Sequence, residues 1–178
     1  MAVADQLAIV DDLLSAPFRD QDEWTHGGLS GPGHHVVVLQ ASQDFWESRD
    51  SDIVEAAEAQ IEAALQALVE VLTARWGTPE QVDLGPYLWS EDPAPEPMGQ
   101  LSQLGPDMLV WRPPETGRWV GLSVGQADPE FPIELRAAVA DAPLLVQERS
   151  STAPSSTSDP TSKRRPRQLR SDPVGDDL

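Results

Sequence analysis

One serine of the chain lies in a pattern that hydrolases use to hold a nucleophile. Residues 121–125 read Gly-Leu-Ser-Val-Gly, which matches the G-x-S-x-G of a nucleophile elbow. An elbow needs a helix directly after the serine, with an acidic residue and then a histidine further along the chain. Here residues 126–129 are typical of a turn, and all three histidines precede Ser123. The pattern favours a strand whose glycines allow close packing, and we predict no catalytic residue.

The histidines lie near acidic residues, which raises the question of a metal site. They are His26, His34 and His35, and three acidic residues precede them, Asp20, Asp22 and Glu23. Adjacent residues on a strand point to opposite faces, so His34 and His35 should not share one ion. Their spacing matches no zinc-protease pattern, and the chain has no cysteine. We interpret them as loop and strand-edge histidines and predict neither a metal nor a cofactor.

Residues 27–33 are rich in glycine but do not resemble a phosphate-binding loop. A P-loop or a dinucleotide fingerprint requires a helix directly after the glycines. This segment has no G-K-[ST] sequence and is followed by an apolar run typical of a strand. We expect it to supply permissive turns.

The residues most suggestive of a binding role are acidic and lie on a long helix. Glu55, Glu58, Glu62 and Glu70 run along one side of the helix predicted over residues 53–76. No lysine or arginine lies between Asp52 and Ala74. Like charges four residues apart repel, so ordinary exposed helices mix both signs. The pattern is typical either of a solvated acidic face or of a surface that binds a basic partner.

The six tryptophans divide into two groups. Trp76, Trp111 and Trp119 fall in regular elements and are expected in the core. The other three lie in segments predicted as loops, among acidic residues: Trp24, Trp46 and Trp89. Such side chains either cover the edge of a core, which we favour, or anchor an interface. If they anchor one, Trp89 with Glu91 and Asp92 is the segment expected beside the acidic helix.

Hydrophobic periodicity predicts an α+β fold. Residues 3–14 and 53–76 carry apolar side chains at helical spacing, and Asp52 with Glu55 could cap the longer helix. Strands are predicted over 35–40, 81–84, 107–112, 118–124 and 133–139. Residues 15–34 and 85–106 are predicted as irregular connections. We therefore expect a mostly antiparallel sheet of four or five strands packed against both helices on one face.

Charge separates a body from a tail. Residues 1–149 hold 26 acidic and 7 basic residues, whereas residues 150–178 hold 4 and 5. The tail is rich in serine, threonine, proline and arginine with few apolar side chains, so we predict a disordered segment. The body is predicted to be a single acidic domain. Its charge disfavours nucleic-acid binding, no run is apolar enough to span a membrane, and the opening residues do not resemble a signal peptide. We expect a cytoplasmic protein.

Three short segments resemble small uncharacterised proteins of actinobacteria. The segments are residues 74–79, 117–120 and 124–129. Some of those proteins resemble polymorphic-toxin immunity proteins, which are acidic α+β domains that bind and block a toxin. The resemblance covers roughly residues 53–140 and carries no catalytic residue. It implies a non-enzymatic domain that binds a basic protein partner such as a toxin. The alternative is a small enzyme or small-molecule-binding protein with an unrecognised site.

Overall fold

The computed structural model describes residues 1–25 and 27–144, and one antiparallel sheet organises them. Its seven strands are β1 (Glu23–Thr25), β2 (Gly28–Gly31), β3 (His34–Ala41), β4 (Glu80–Asp83), β5 (Asp107–Trp111), β6 (Trp119–Gly125) and β7 (Glu134–Ala140). The helices are α1 (Val3–Ser15), α2 (Ser51–Trp76), α3 (Gly85–Leu88) and α4 (Met98–Ser102). The strand order is β1-β2-β3-β7-β6-β5-β4. The predicted α+β class and antiparallel sheet are confirmed, with more strands than the four or five expected.

The first face of the sheet packs against α1 and α2. The pairing register places Leu135, Ala137 and Val139 of β7 on this face, and all three are buried. Ile61, Leu68 and Leu72 of α2 pack there at seven- and four-residue spacing, which keeps them on one side of the helix. Burying each such side chain contributes roughly 1.5–3 kcal/mol to stability. This layer is the main hydrophobic core.

The second face is only partly covered, by α3 and α4. Tyr87, Met98 and Leu101 from this region pack on Met108 and Trp119 of the sheet. The apolar contacts of this cover extend over β4, β5 and β6 and reach β7 and β3, where the cover ends. An open cleft remains at that boundary.

Two segments predicted as irregular contain regular structure. Residues 15–34 include the β1–β2 hairpin, and residues 85–106 include α3 and α4. These elements have three to five residues each, too few to show a hydrophobic period. The hairpin forms because β2 pairs with β3 along its length.

The start of α2 also differs from the prediction. The helix begins at Ser51 with Asp50 as the N-cap residue, and no side chain caps it. The expected capping box of Asp52 and Glu55 is therefore wrong, because both residues already lie inside the first turns of the helix. Its end is as expected, since Gly77 has a φ of 89°, which favours glycine.

The predicted disordered tail, residues 150–178, and the body's boundary at residue 149 lie outside the described residues. Within the described ranges, no helix has the length and apolar character that crossing a bilayer requires.

Candidate functional site

The acidic residues at the start of α2 border a groove on the first face of the sheet. Glu55, Glu58 and Glu62 line it together with Ala59, and its remaining surface comes from the end of β6 and the start of β7, two central strands. Val124 at the end of β6 and Ile133 just before β7 supply that apolar surface. The groove has a volume of about 470 Å³. We call it the acidic groove.

The acidic groove combines negative charge with an apolar base. None of its six lining residues is basic. Glu62 accepts a 2.7 Å hydrogen bond from Gln66 Nε2, one turn further along the helix, which orients this carboxylate. All three glutamates are exposed and belong to no ion pair among the described residues. Their charges are therefore available to an incoming cationic group.

An exposed aromatic pair lies on the two chain segments that lead into the groove. Trp46 precedes α2, and Phe131 lies two residues before Ile133. Their ring centroids are 5.3 Å apart in an edge-to-face arrangement. A backbone hydrogen bond from Phe45 N–H to the Glu130 carbonyl (2.8 Å) ties the two segments together. Trp46 remains 62% exposed, so the pair does not cover the core.

The other predicted binding residues lie elsewhere. Glu70 is exposed on the same helix, eight residues beyond Glu62 and about 12 Å further along its axis. Trp89, Glu91 and Asp92 follow α3, which packs on the second face of the sheet. The structure therefore separates the Trp89 segment from the acidic groove by the thickness of the sheet. The aromatic pair on the chain segments that adjoin the groove is Trp46–Phe131, which sequence reasoning missed because 85 residues separate its members.

The tryptophans predicted in regular elements lie in or against the core, as expected, whereas the three predicted in loops are exposed. Trp111 and Trp119 are buried, and their indole N–H groups donate to the Gly77 and Ala142 carbonyls at 3.1 and 2.9 Å. Trp76 is half-buried against the core. The favoured interpretation of the remaining three as covers of a core edge is wrong, since each is more than 60% exposed: Trp24, Trp46 and Trp89. Exposed aromatic side chains of this size are typical of interfaces.

Ser123 lies inside β6 and is buried. The strand continues to Gly125, so no helix follows the serine, and its cross-strand neighbour is Arg136. The geometry of a nucleophile elbow is absent at this position.

The histidines next to the glycine-rich segment have structural contacts. His34 and His35 lie on opposite faces of β3, as expected, and His35 Nδ1 is 2.8 Å from Ser30 Oγ. Burial lowers the pKa of His35, and the nearby Arg118 lowers it further. His26 lies outside the described residues. In the described ranges, no three histidine or acidic side chains cluster closely enough to hold a metal ion.

The glycines of residues 27–33 serve the hairpin. Gly33 has a φ of 75° in the turn between β2 and β3. At Gly28, an added Cβ would lie 1.8 Å from the Val36 carbonyl oxygen, so only glycine allows this approach of β2 to β3.

Comparisons with known proteins supply no family for this chain. No protein-family model, no curated protein and no solved structure matches the chain.

Proposed function

We propose that this chain is a non-enzymatic protein-binding domain whose acidic groove receives a basic protein partner. The partner class fits an immunity-type antitoxin that binds a cationic toxin in the cytoplasm of an actinobacterium. Nucleic acid and membranes are not part of the proposal, because a chain with a formal net charge of −18 repels phosphate groups.

The observation that carries the proposal is that negative charge and apolar surface occur together at the acidic groove. Three glutamates that form no ion pair within the described residues border an apolar surface made by Val124 and Ile133, and an exposed aromatic pair lies on the adjoining segments. A solvated acidic face would need neither the apolar base nor the exposed rings. Protein interfaces combine apolar anchors at their centre with charged residues at the rim.

The net negative charge of the chain also favours a basic partner, because it should raise the rate at which the two proteins associate. A strongly negative protein attracts a positive one over a distance of about 8 Å at physiological salt, and over longer distances at low salt. Complementary charge raises the association rate more than it lowers the dissociation rate. The groove glutamates should therefore act on the encounter, and the aromatic pair should act on the lifetime of the complex.

The test measures binding kinetics of charge-reversal variants by surface plasmon resonance. The proposal requires that a gene next to that of this chain encodes a basic protein, and that protein is the ligand, at about 20 and 150 mM NaCl. Glu58→Lys with Glu62→Lys should lower the association rate at low salt by about tenfold or more. Glu91→Lys with Asp92→Lys is the matched control, because it makes the same charge change on the second face and should reduce the rate by less than threefold.

A second pair of variants separates the aromatic contribution. Trp46→Ala should raise the dissociation rate tenfold or more if the ring is buried on binding. Trp89→Ala, the same truncation at a position that is more exposed (82% against 62%), should leave it within twofold. If the Glu91/Asp92 and Trp89 variants have the larger effects, the second face is the site and the acidic groove is only a solvated surface. If no variant changes either rate, the protein-binding proposal fails.

A further inference from the structure

A separate cleft opens on the second face of the sheet, where the cover by α4 ends. Its volume is about 740 Å³, within the range of pockets that hold small organic molecules. The floor comes from Leu29, Val36 and Val38, and Gln100, Gln103 and Leu104 form the wall on the α4 side. This region belongs to the other side of the sheet from the acidic groove, so it is independent of the proposed protein-binding site.

Trp24 forms the opposite wall of the cleft. Its cross-strand neighbour is Leu29, and Leu29 is in turn opposite Val36, so the three side chains lie on the same face of the sheet. Trp24 is nevertheless 73% exposed. A large ring held at the edge of an apolar floor offers a surface on which a planar molecule can stack.

Among the described residues that line the cleft, Arg136 on the floor is the only cationic one. Its side chain is 12% exposed, and Nη2 donates to the Glu134 carboxylate. Nη1 is buried and has no hydrogen-bond partner among the described residues. Burial lowers the pKa of this arginine, and Glu134 opposes that effect. A buried donor without an acceptor is destabilising, so native proteins seldom contain one unless it binds a water, an ion or a ligand.

Gln100 on α4 has the opposite deficit, a buried acceptor without a donor among the described residues. Its backbone N–H donates to Glu96 Oε2 at 3.3 Å, but the side-chain Oε1 is buried and has no partner within the described residues. Gln103, three residues on, differs, because its side-chain amide donates to the Gly99 carbonyl at 3.1 Å. One unsatisfied donor and one unsatisfied acceptor therefore belong to side chains that line the same cleft.

The charge of the residues that line the cleft restricts which ligands can bind there. Glu96 and Glu134 outnumber Arg136, and the guanidinium is already paired with Glu134. A carboxylate or phosphate would meet net negative charge here, in a domain that is itself strongly acidic. A neutral molecule avoids this repulsion and can still supply one acceptor and one donor.

We propose that this cleft binds a small, uncharged, planar molecule whose adjacent carbonyl and N–H pair with Arg136 and Gln100, as those of a lactam or cyclic imide would. The carbonyl oxygen accepts from the guanidinium and the ring N–H donates to Gln100 Oε1, as both side-chain ends turn towards the ligand. The ring stacks on Trp24 above the aliphatic floor.

The test uses the full 178-residue chain and three bicyclic probes of similar size. 2-Quinolone carries the adjacent carbonyl and N–H, quinoline lacks the carbonyl and the donor, and quinoline-2-carboxylate adds a negative charge. Binding is followed by two-dimensional NMR of backbone amides, the tryptophan indoles and the Arg136 Nε–H. We expect 2-quinolone to shift the Trp24 indole, Leu29 and Arg136 signals with millimolar or better affinity, and the other two to bind at least fivefold more weakly.

Two variants and a matched control assign the contacts. Gln100→Leu should weaken 2-quinolone binding at least fivefold while leaving the melting temperature unchanged or higher, because it removes an unsatisfied buried acceptor. Arg136→Lys keeps a positive charge beside Glu134 and should weaken binding similarly. Gln103→Leu makes the same change at a cleft residue whose amide is already paired, and should alter binding less than twofold.

Three outcomes would overturn the proposal. One is that 2-quinolone causes no shifts confined to the cleft. Another is that quinoline or its carboxylate binds as tightly as 2-quinolone. The third is that Gln100→Leu and Gln103→Leu have equal effects, which would mean that the unsatisfied acceptor makes no contact with the probe.

Discussion

At the scale of single residues, Arg118, directly before β6, connects this strand to the end of α1. Its Nη1 donates to the carbonyl oxygens of Leu13, Leu14 and Ala16, at 3.3, 2.9 and 2.7 Å. These carbonyls belong to the end of α1, where backbone acceptors lack partners within the helix. The guanidinium carbon also lies 3.9 Å from the centre of the Phe18 ring. A positive charge at a helix C-terminus further favours the helix dipole.

Arg118→Met should therefore lower the free energy of unfolding by about 2–3 kcal/mol, since it leaves three carbonyl groups without a donor. The control is Arg112→Met, which removes an exposed arginine 3.6 Å from Glu80 and should cost less than about 1 kcal/mol. Urea denaturation followed by tryptophan fluorescence gives both values. Equal losses for the two variants would show that the contacts at the end of α1 contribute nothing specific.

His35 gives the fold a predictable response to pH. Burial lowers its folded-state pKa, so the unfolded chain binds a proton more readily than the native protein. Stability should then fall as pH drops below about 6.5, the value of an unperturbed histidine, and continue to fall until the folded-state pKa is passed. In His35→Gln, the slope of unfolding free energy between pH 7 and 5.5 should be shallower than in the parent chain. An unchanged slope would assign the effect to other groups.

At the scale of elements, the hairpin of β1 and β2 depends on one glycine. Gly28 faces Val37 of β3, and an added Cβ would meet the Val36 carbonyl at 1.8 Å. The clash is with backbone, which cannot move without breaking the pairing of β2 with β3. Trp24 and Leu29 would lose their positions with it, so the cleft on the second face needs this glycine.

Gly28→Ala should destabilise the domain by about 1–3 kcal/mol, as overpacking in a well-packed site does. Hydrogen exchange should increase first in β1 and β2. Gly27→Ala is the neighbouring control, because its nearest contact would be Val37 Cγ2 at an ordinary 3.4 Å, and it should change stability by less than about 0.5 kcal/mol. If hydrogen exchange in β1 and β2 is equally fast in both variants, the hairpin does not require the close approach of β2 to β3.

At the scale of the whole molecule, charge opposes folding. The chain carries a formal net charge of −18, yet the described residues form only four ion pairs, most of them exposed. Exposed pairs contribute little, whereas repulsion between many like charges acts throughout a compact domain. Added salt should therefore weaken the repulsion between like charges more than it weakens the attraction within the ion pairs.

Raising NaCl from about 20 to 300 mM should increase the melting temperature by several degrees, because the Debye length falls below 10 Å. Sodium sulfate would be a poor reagent here, since it also strengthens apolar burial. Calorimetry at constant pH measures the effect. A melting temperature that falls with NaCl would mean that the ion pairs, such as Arg75 with Asp11 at 3.0 Å, outweigh the repulsion.

The sequence by itself determined the elements whose residues repeat a pattern. A buried face was indicated by the apolar spacing of α2, by the β-branched run of β3 and by the alternation along β7. Hydrophobic periodicity involves only residues that are close together in the sequence, so it can be recognised without the structure. From these elements followed the α+β class and the acidic stripe on the long helix. Short elements such as α3, α4 and the β1–β2 hairpin had no such signal, since they form through contacts with the sheet.

Only the tertiary structure decided which side chains share a surface. Strand order places β7 between β3 and β6, which brings Arg136 to the cleft floor below Gln100 and Trp24. The same folding brings Phe131 against Trp46 and moves the Trp89 segment to the opposite face from Glu55, Glu58 and Glu62. Local patterns do not specify strand order, and strand order determines which distant residues meet.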